Sequence, residues 1–168
     1  MIRIAVVDDD REELQELCEL LQFTSLELQE PYTIETFYSG SEFLAQYRKQ
    51  YELLCLDIDM PEKDGMAVAE EIRRRDSKVL IMFITHMAQM AIRGYEVQAV
   101  DFVLKPVNKY ALLLKMQRIR KSLSQRKEAF FLVPDDGGVR KISSRELYYV
   151  EVSGHYLYYH AKSGVYKQ

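Results

Sequence analysis

Short apolar runs alternate with amphipathic stretches over the first 120 or so residues. Three of these runs are almost wholly apolar, namely Ile2–Val7, Leu53–Leu56 and Val79–Ile84. Runs of this kind are typical of strands that are buried on both faces. Two further runs, Tyr32–Phe37 and Val100–Leu104, are rich in residues that favour strands. The pattern therefore predicts five strands.

Between the predicted strands, apolar residues recur at three- and four-residue spacing, which predicts helices. The predicted helices are Arg11–Phe23, Phe43–Tyr47, Met66–Arg75, Ala88–Gly94 and Tyr110–Lys121. Strands that alternate with helices in this way indicate an α/β fold, a doubly wound five-stranded parallel sheet with helices on both faces.

The pattern of apolar and polar residues changes after Arg126. Short β-like runs follow, separated by turns that contain glycine, and six of the twelve tyrosines lie there. The runs are Phe130–Val133, Arg140–Ile142, Leu147–Val152 and Tyr156–Ala161. About 40 residues of hairpins bury little surface alone. We therefore expect a first domain over 1–122, a linker over 123–128, and an incomplete all-β unit over 129–168 that is truncated here.

Composition narrows the class of protein. The chain has 168 residues, of which 48% are apolar and 29% charged, as in globular proteins. No apolar stretch reaches the ~18 residues of a membrane span, and Asp8 interrupts the first apolar run, so we expect a cytoplasmic protein without membrane attachment. Cys18 and Cys55 are too few for a disulfide scaffold, and no zinc-ligand spacing occurs.

Charge is distributed unevenly along the chain. Residues 1–114 carry a net charge of −9, whereas residues 115–168 carry +6. This asymmetry suggests two modules with different partners. The basic segment, residues 115–168, could bind phosphate groups, or its charges could lie on a solvated helix face.

Chemically active side chains follow the predicted strands at their carboxyl ends, where doubly wound sheets bind ligands. They are Asp8, Asp9, Asp57, Thr85 and Lys105. Clustered carboxylates favour Mg²⁺, and a carboxylate beside such a cation can be a nucleophile toward phosphorus. A lysine and a hydroxyl can then neutralise and bind the phosphoryl oxygens. Asp10 we expect to cap the first helix instead.

These residues stand within longer motifs: Val6-Val7-Asp8-Asp9, Leu56-Asp57-Ile58-Asp59-Met60-Pro61 with Asp64-Gly65, Ile84-Thr85, and Asp101-Phe102-Val103-Leu104-Lys105-Pro106. In order, spacing and strand context, residues 1 to about 122 resemble the receiver domain of two-component response regulators. The resemblance implies a flavodoxin-like fold and a phosphorylation switch rather than a turnover enzyme.

The resemblance also implies roles for single residues. Asp57 would be the phosphoacceptor. Asp9, Asp57 and the main-chain carbonyl of Asp59 would hold Mg²⁺, with Asp8 acting through a bound water. Thr85 and Lys105 would bind the phosphoryl group, and Thr85 would also be a switch residue. The Lys105-Pro106 bond is expected to be cis.

Phe102 is a second expected switch position, and His86 and Asp59 depart from the usual receiver pattern. Phe102 matches the switch aromatic but lacks a tyrosine hydroxyl, so it would act by packing alone. His86 follows Thr85, where receivers usually carry a small residue; it either restricts access to the phosphate or points to solvent. Asp59 places a second carboxylate near Asp57, and we expect its charge to modulate dephosphorylation.

The tail resembles the opening part of a LytTR DNA-binding domain. Three segments carry this resemblance: Arg140-Lys141-Ile142, Glu146-Leu147-Tyr148-Tyr149-Val150-Glu151 and Gly154-His155-Tyr156. The resemblance implies that His155 can contact bases, although a hairpin-turn histidine is an equal reading. Arg140, Lys141 and Arg145 are further candidates for DNA contact.

Together the resemblances imply a regulator that a sensor histidine kinase phosphorylates. It would form a homodimer through its fourth helix, fifth strand and fifth helix, and bind DNA as a full-length protein. An alternative is a haloacid-dehalogenase-like phosphatase, in which Asp57 and Asp59 form the D-x-D pair. That motif usually follows a first strand, whereas here it follows a third. A third class is a binding module that keeps the fold without phosphorylation, against which the intact acidic set argues.

Overall fold

A computed structural model of the chain describes residues 1–126, 130–135, 138–144 and 146–168. The chain divides into two compact units, Met1–Ile119 and Arg120–Gln168, and each is considered by itself. The division falls inside a helix, and the predicted linker 123–128 overlaps the end of that helix; the linker stays a prediction. Within the described residues, no helix is both long and apolar enough to cross a membrane.

The first unit is a five-stranded parallel sheet with helices, as predicted. Its strands are β1 (Ile2–Val7), β2 (Tyr32–Phe37), β3 (Leu53–Leu56), β4 (Leu80–Thr85) and β5 (Asp101–Leu104). Its helices are α1 (Arg11–Leu28), α2 (Gly40–Gln46), α3 (Gly65–Arg75) and α4 (Lys109–Arg126), the last of which runs on into the second unit. The strand order is β2-β1-β3-β4-β5, the doubly wound order of flavodoxin-like folds.

Packing explains why the apolar runs form the central strands. β3 and β4 are buried along their whole length, because helices cover both faces of the sheet. One core cluster joins alternate residues of β1, β3 and β4 to the buried faces of α2 and α3; its members include Val7, Leu56, Phe83, Phe43 and Ile72. The two-residue strand period leaves the opposite face of the sheet for the buried stripes of α1 and α4.

Helix α1 is longer than its apolar pattern predicts. The Asp10 side chain caps its first turn by accepting from two main-chain N–H groups, which confirms the predicted capping role. The helix then continues past Phe23, because the Thr24 hydroxyl donates to the Leu21 carbonyl at 2.8 Å and so lies buried with its polar atom paired. Gln29, in a left-handed conformation at φ 50°, ends it.

The α-helix predicted over Ala88–Gly94 is wrong. Two short 3₁₀ turns, Ala88–Met90 and Arg93–Tyr95, occupy the segment instead. Neither turn has a side-chain cap, and Gly94 is a poor helix former. Met87, Met90 and Val97 reach the core from this segment, so packing rather than helical propensity shapes it.

The second unit is antiparallel β-structure, as predicted for the tail. Its strands are β6 (Phe130–Asp135), β7 (Gly138–Ser143), β8 (Leu147–Ser153), β9 (Tyr156–Ala161) and β10 (Gly164–Lys167). β6 and β7 form a hairpin, and β10, β9 and β8 form a three-stranded sheet. A small core of Val133, Ile142, Ala161 and Tyr166 joins them. Among the residues that the structure describes, β8 pairs only with β9, and six of its seven residues are exposed.

Candidate functional site

The acidic residues meet where the strand order reverses. β1 and β3 are neighbours in register, with Val7 opposite Leu56, and each strand is followed at once by carboxylates. The main-chain N–H of Asp57 donates to the Val7 carbonyl at 2.9 Å, which extends the pairing to Asp57, the candidate nucleophile. Carboxylate oxygens of Asp8, Asp9 and Asp57 all lie within 4.8 Å of one another. The predicted convergence of these three side chains is therefore present.

The cluster suits a hard divalent cation. Ligand oxygens around an octahedral Mg²⁺ lie about 3 to 4 Å apart, close to the spacing seen here. Asp57 is 6% exposed, and its Oδ1 atom is buried without a hydrogen-bond partner among the described residues. Such an atom is costly unless a cation or donor reaches it. Asp9 is exposed and leaves the cluster open on one side. The donor set and the orphaned oxygen thus fit Mg²⁺.

Lys105 is the cation already present beside these carboxylates. Its Nζ donates to Asp8 Oδ2 at 2.8 Å and lies 3.7 Å from Asp57 Oδ1. The lysine side chain is only 7% exposed. Burial of the ammonium works against its charge, but hydrogen bonds to Asp8 and Glu13 outweigh burial and raise the pKa of Lys105. Burial also raises the pKa of the Asp8 carboxyl, against the opposing pull of Lys105.

The remaining predicted residues lie on the adjacent strands β4 and β5. Thr85 ends β4 and is fully buried, and its hydroxyl accepts from the Met87 N–H at 3.3 Å. The main-chain N–H of Lys105 donates to the Thr85 carbonyl at 3.0 Å. Phe102 is half-buried on β5, with its ring centroid 6.2 Å from that of Phe83. The Lys105-Pro106 peptide is cis, as the resemblance implies.

Gly65 allows helix α3 to approach the main chain of Asp57. Asp64 caps this helix by accepting from the Ala67 N–H at 2.7 Å, and the Gly65 N–H donates to the Ile58 carbonyl at 3.1 Å. A Cβ atom at position 65 would lie 1.9 Å from the Asp57 carbonyl oxygen. Only glycine therefore fits without moving the main chain that positions the candidate nucleophile.

We expect Gly65→Ala to lower the free energy of unfolding by at least about 2 kcal/mol, because backbone must shift to relieve the clash. Gly94→Ala is the matched control: its added Cβ would have no neighbour closer than 3.7 Å. Urea denaturation of both variants provides the measurement. Equal stability of Gly65→Ala and Gly94→Ala would contradict the close approach.

The sequence analysis missed Glu13, which the fold brings to the site from the first turn of α1. One carboxylate oxygen accepts from Lys105 and the other lies 2.8 Å from His86 Nε2. The hydrogen bond with His86, and to a smaller extent the one with Lys105, lowers the pKa of Glu13. Glu13 is separated by 92 residues from Lys105 and by 73 residues from His86, so no local sequence pattern predicts these contacts. The His86 side chain is 61% exposed and contacts Glu13 through Nε2; its predicted effect on access to the phosphate stays a prediction.

Asp59 is exposed, and its carboxylate is not one of the three clustered oxygen donors found among the described residues. Its predicted effect on dephosphorylation stays a prediction. Equal phosphoryl half-lives for Asp59→Asn and the parent would contradict it.

The predicted DNA-contacting residues lie in the second unit. His155 is exposed in the turn between β8 and β9, beside Gly154 at φ 63°. Arg140 forms an ion pair with Asp135 at 2.6 Å, and the Lys141 ammonium lies 3.8 Å from the centre of the Phe130 ring. Arg145 lies outside the described residues. Their role in DNA binding stays a prediction.

Comparison with known proteins decides the family. The model of the family described as "Response regulator receiver domain" matches residues 4–117. The chain belongs to the response regulator receiver family. It is 33% identical over 129 residues to the sensory transduction protein LytT of Oceanobacillus iheyensis, covering 75% of this chain and 51% of that protein. It is 37% identical over 127 residues to a CpxR homolog of Haemophilus influenzae, described as a transcriptional regulatory protein, covering 74% and 53%.

Among solved structures, residues of this chain resemble the BeF3-activated receiver domain of DrrB. The TM-score is 0.58 at 28% identity, covering 72% of this chain and 98% of that one. The chain spans about half the length of the curated relatives it matches. One of these relatives is described as a sensory transduction protein and the other as a transcriptional regulatory protein, and the matches lend no support to the phosphatase alternative. The D-x-D pair also follows the third strand, β3.

Proposed function

We propose that this chain is the phosphorylation-dependent switch of a two-component transcription regulator. In this proposal, Asp57 accepts a phosphoryl group from a sensor histidine kinase in the presence of Mg²⁺. The observation that carries the proposal is the convergence of three carboxylates beside a buried Lys105, with one oxygen of Asp57 lacking a hydrogen-bond partner in the described part of the chain. A buried carboxylate oxygen without a partner is costly, and a bound cation or a covalent bond to phosphorus would relieve that cost.

The chemistry follows from the positions of the side chains. An Asp57 oxygen attacks phosphorus, an O–P bond forms, the N–P bond of the phosphohistidine breaks, and the imidazole leaves with the electron pair. Lys105 neutralises a phosphoryl oxygen, and the Thr85 hydroxyl can donate its proton to another while it accepts from Met87. Asp9, Asp57 and the Asp59 carbonyl would hold Mg²⁺, with Asp8 acting through water, and the ion supplies charge neutralisation.

A surface near the switch aromatic supports the proposed dimer. A groove beside Phe102 is lined by Ile92, Tyr95 and Val100, all exposed in the single chain. A contiguous apolar groove of this kind marks an interaction site. The groove is formed by the segment of the two 3₁₀ turns, which replaces the predicted fourth helix, and by β5; in the proposed dimer, α4 completes the interface. Repacking of Phe102 and Thr85 on phosphorylation would change its affinity for a second copy.

In this proposal, the second unit is the part of the chain that contacts DNA. Its resemblance to LytTR domains and its exposed His155 support a DNA-contacting role in the full-length protein, with Arg140, Lys141 and Arg145 as further contacts. Arg140 would have to exchange its ion pair with Asp135 for a phosphate.

The proposal is tested with acetyl phosphate and Mg²⁺ as a small-molecule phosphodonor. We expect incorporation to approach one phosphoryl group per chain and then stop, with the label on Asp57 by mass spectrometry. Sustained release of phosphate from p-nitrophenyl phosphate would instead support the phosphatase. A label on another residue, or none at all, would overturn the proposed function.

A further inference from the structure

Lys105 is already engaged by two anions in the unphosphorylated protein. Its Nζ donates to Asp8 at 2.8 Å and to Glu13, whereas the nearest oxygen of Asp57 is 3.7 Å away. An ammonium group has three donors and one positive charge. Most of the charge that a phosphoryl group on Asp57 would use is therefore neutralised by carboxylates from β1 and α1.

Glu13 is held in this position from its other side. One of its oxygens contacts Lys105 and the other lies 2.8 Å from His86 Nε2. The carboxylate thus bridges the residue after β4 and the residue after β5. Charge-assisted hydrogen bonds of this kind are stronger than neutral ones, so both partners fix the same rotamer of Glu13.

The two anions on Lys105 differ in their freedom to leave. Asp8 is 2% exposed and bonded to the main-chain N–H of Asp10, so it stays. The side chain of Glu13 is 33% exposed, and solvent can hydrate its carboxylate once it swings outward. Glu13 is therefore the anion that an incoming phosphoryl group can displace.

We propose that Glu13 is a positioning residue that occupies the phosphoryl-binding side of Lys105, and that His86 retains it there. This inference rests on the proposed function of Asp57. Glu13 competes with the phosphoryl group for Lys105 and repels its negative charge. Phosphorylation then requires that the Glu13–Lys105 contact open, which lowers the affinity of the resting site for phosphoryl-like anions.

The test measures binding of beryllofluoride, a phosphoryl mimic, to the full chain by calorimetry at saturating Mg²⁺. We expect Glu13→Gln to raise the affinity about 5- to 10-fold, the effect of losing one competing charge-assisted contact. Glu16→Gln is the matched control. It removes the same charge one turn further along α1, and among the described residues Glu16 is not paired with Lys105. A change of less than about twofold is expected there.

A double-mutant cycle separates retention by His86 from a general charge effect. We expect His86→Ala to raise beryllofluoride affinity about 2- to 3-fold in the parent and to have no effect in the Glu13→Gln background. Equal gains in both backgrounds would overturn the role of His86. A Glu13→Gln affinity equal to or below that of the parent, or a gain matched by Glu16→Gln, would overturn the role of Glu13.

Two further measurements keep the inference distinct from the function on which it rests. If the parent binds beryllofluoride and Asp57→Asn does not, the proposed function stands while the Glu13 variants decide the inference. If the parent does not bind at all, both are overturned. Mg²⁺ affinity without beryllofluoride should be unchanged or slightly lower in Glu13→Gln; a large loss would indicate a damaged site and would overturn a positioning role.

Discussion

Asp57→Ala is expected to abolish binding of beryllofluoride with Mg²⁺ and the increase in self-association that we expect binding to cause in the full-length protein. The reason is that the mimic needs a carboxylate oxygen as its ligand, and Asp57 supplies the buried oxygen without a partner in the described residues. Calorimetry and analytical ultracentrifugation would follow the two effects separately.

Asp10→Asn serves as the control for this result. It removes a charge close to the cluster, yet asparagine caps a helix about as well as aspartate. In the described part of the chain, the Asp10 side chain accepts from the main-chain N–H groups of Glu12 and Glu13 alone. We expect its binding to be retained. Binding that survives in Asp57→Ala would show that the acceptor has been misassigned.

Lys105→Met is expected to lower the free energy of unfolding by about 3 kcal/mol without Mg²⁺, because the change leaves the buried Asp8 and Asp57 carboxylates without their cation. Added Mg²⁺ should restore more stability to this variant than to the parent, since the ion binds the folded cluster and supplies the missing positive charge. Urea denaturation at neutral pH, with and without Mg²⁺, measures both effects.

Lys115→Met is the matched control for the loss of a lysine ion pair. Lys115 pairs with Asp101, but both side chains are more than 20% exposed, so the expected loss is about 1 kcal/mol or less. Equal losses for the two lysines would show that Lys105 does not act as the internal counter-ion of the cluster.

The central sheet could be predicted because its signals are local. The observed bounds of β1, β2 and β3 equal the predicted ones, since continuous apolar runs and a run rich in β formers mark them. The end of α1 could not be predicted, because it depends on a buried hydroxyl at Thr24 and a left-handed Gln29. The segment over residues 88–94 has apolar residues at helical spacing, but core packing and an absent cap divide it into turns.

Prediction of the site residues from sequence also succeeded only where the signal was local. Asp8, Asp9 and Asp57 could be predicted because they lie within two residues of a strand's carboxyl end, and parallel strands bring these ends to one edge of the sheet. Glu13 was not found, since it is one of five glutamates on α1 and only the packing of that helix distinguishes it from the others. A site residue that lies on a helix can be recognised only once the tertiary structure shows which face of the helix packs against the site.

The position of β5 at the edge of the sheet has a consequence for communication. Phe102 and Lys105 belong to the outermost strand and the residue after it, and β4, which carries Thr85, is the next strand inward. Asp57 follows β3, so a chemical event there lies two inter-strand spacings, roughly 10 Å, from the edge strand β5. The path from Asp57 to Phe102 therefore crosses only one intervening strand, β4, in the described sheet, and Thr85 at the end of that strand links the phosphorylated residue to the edge.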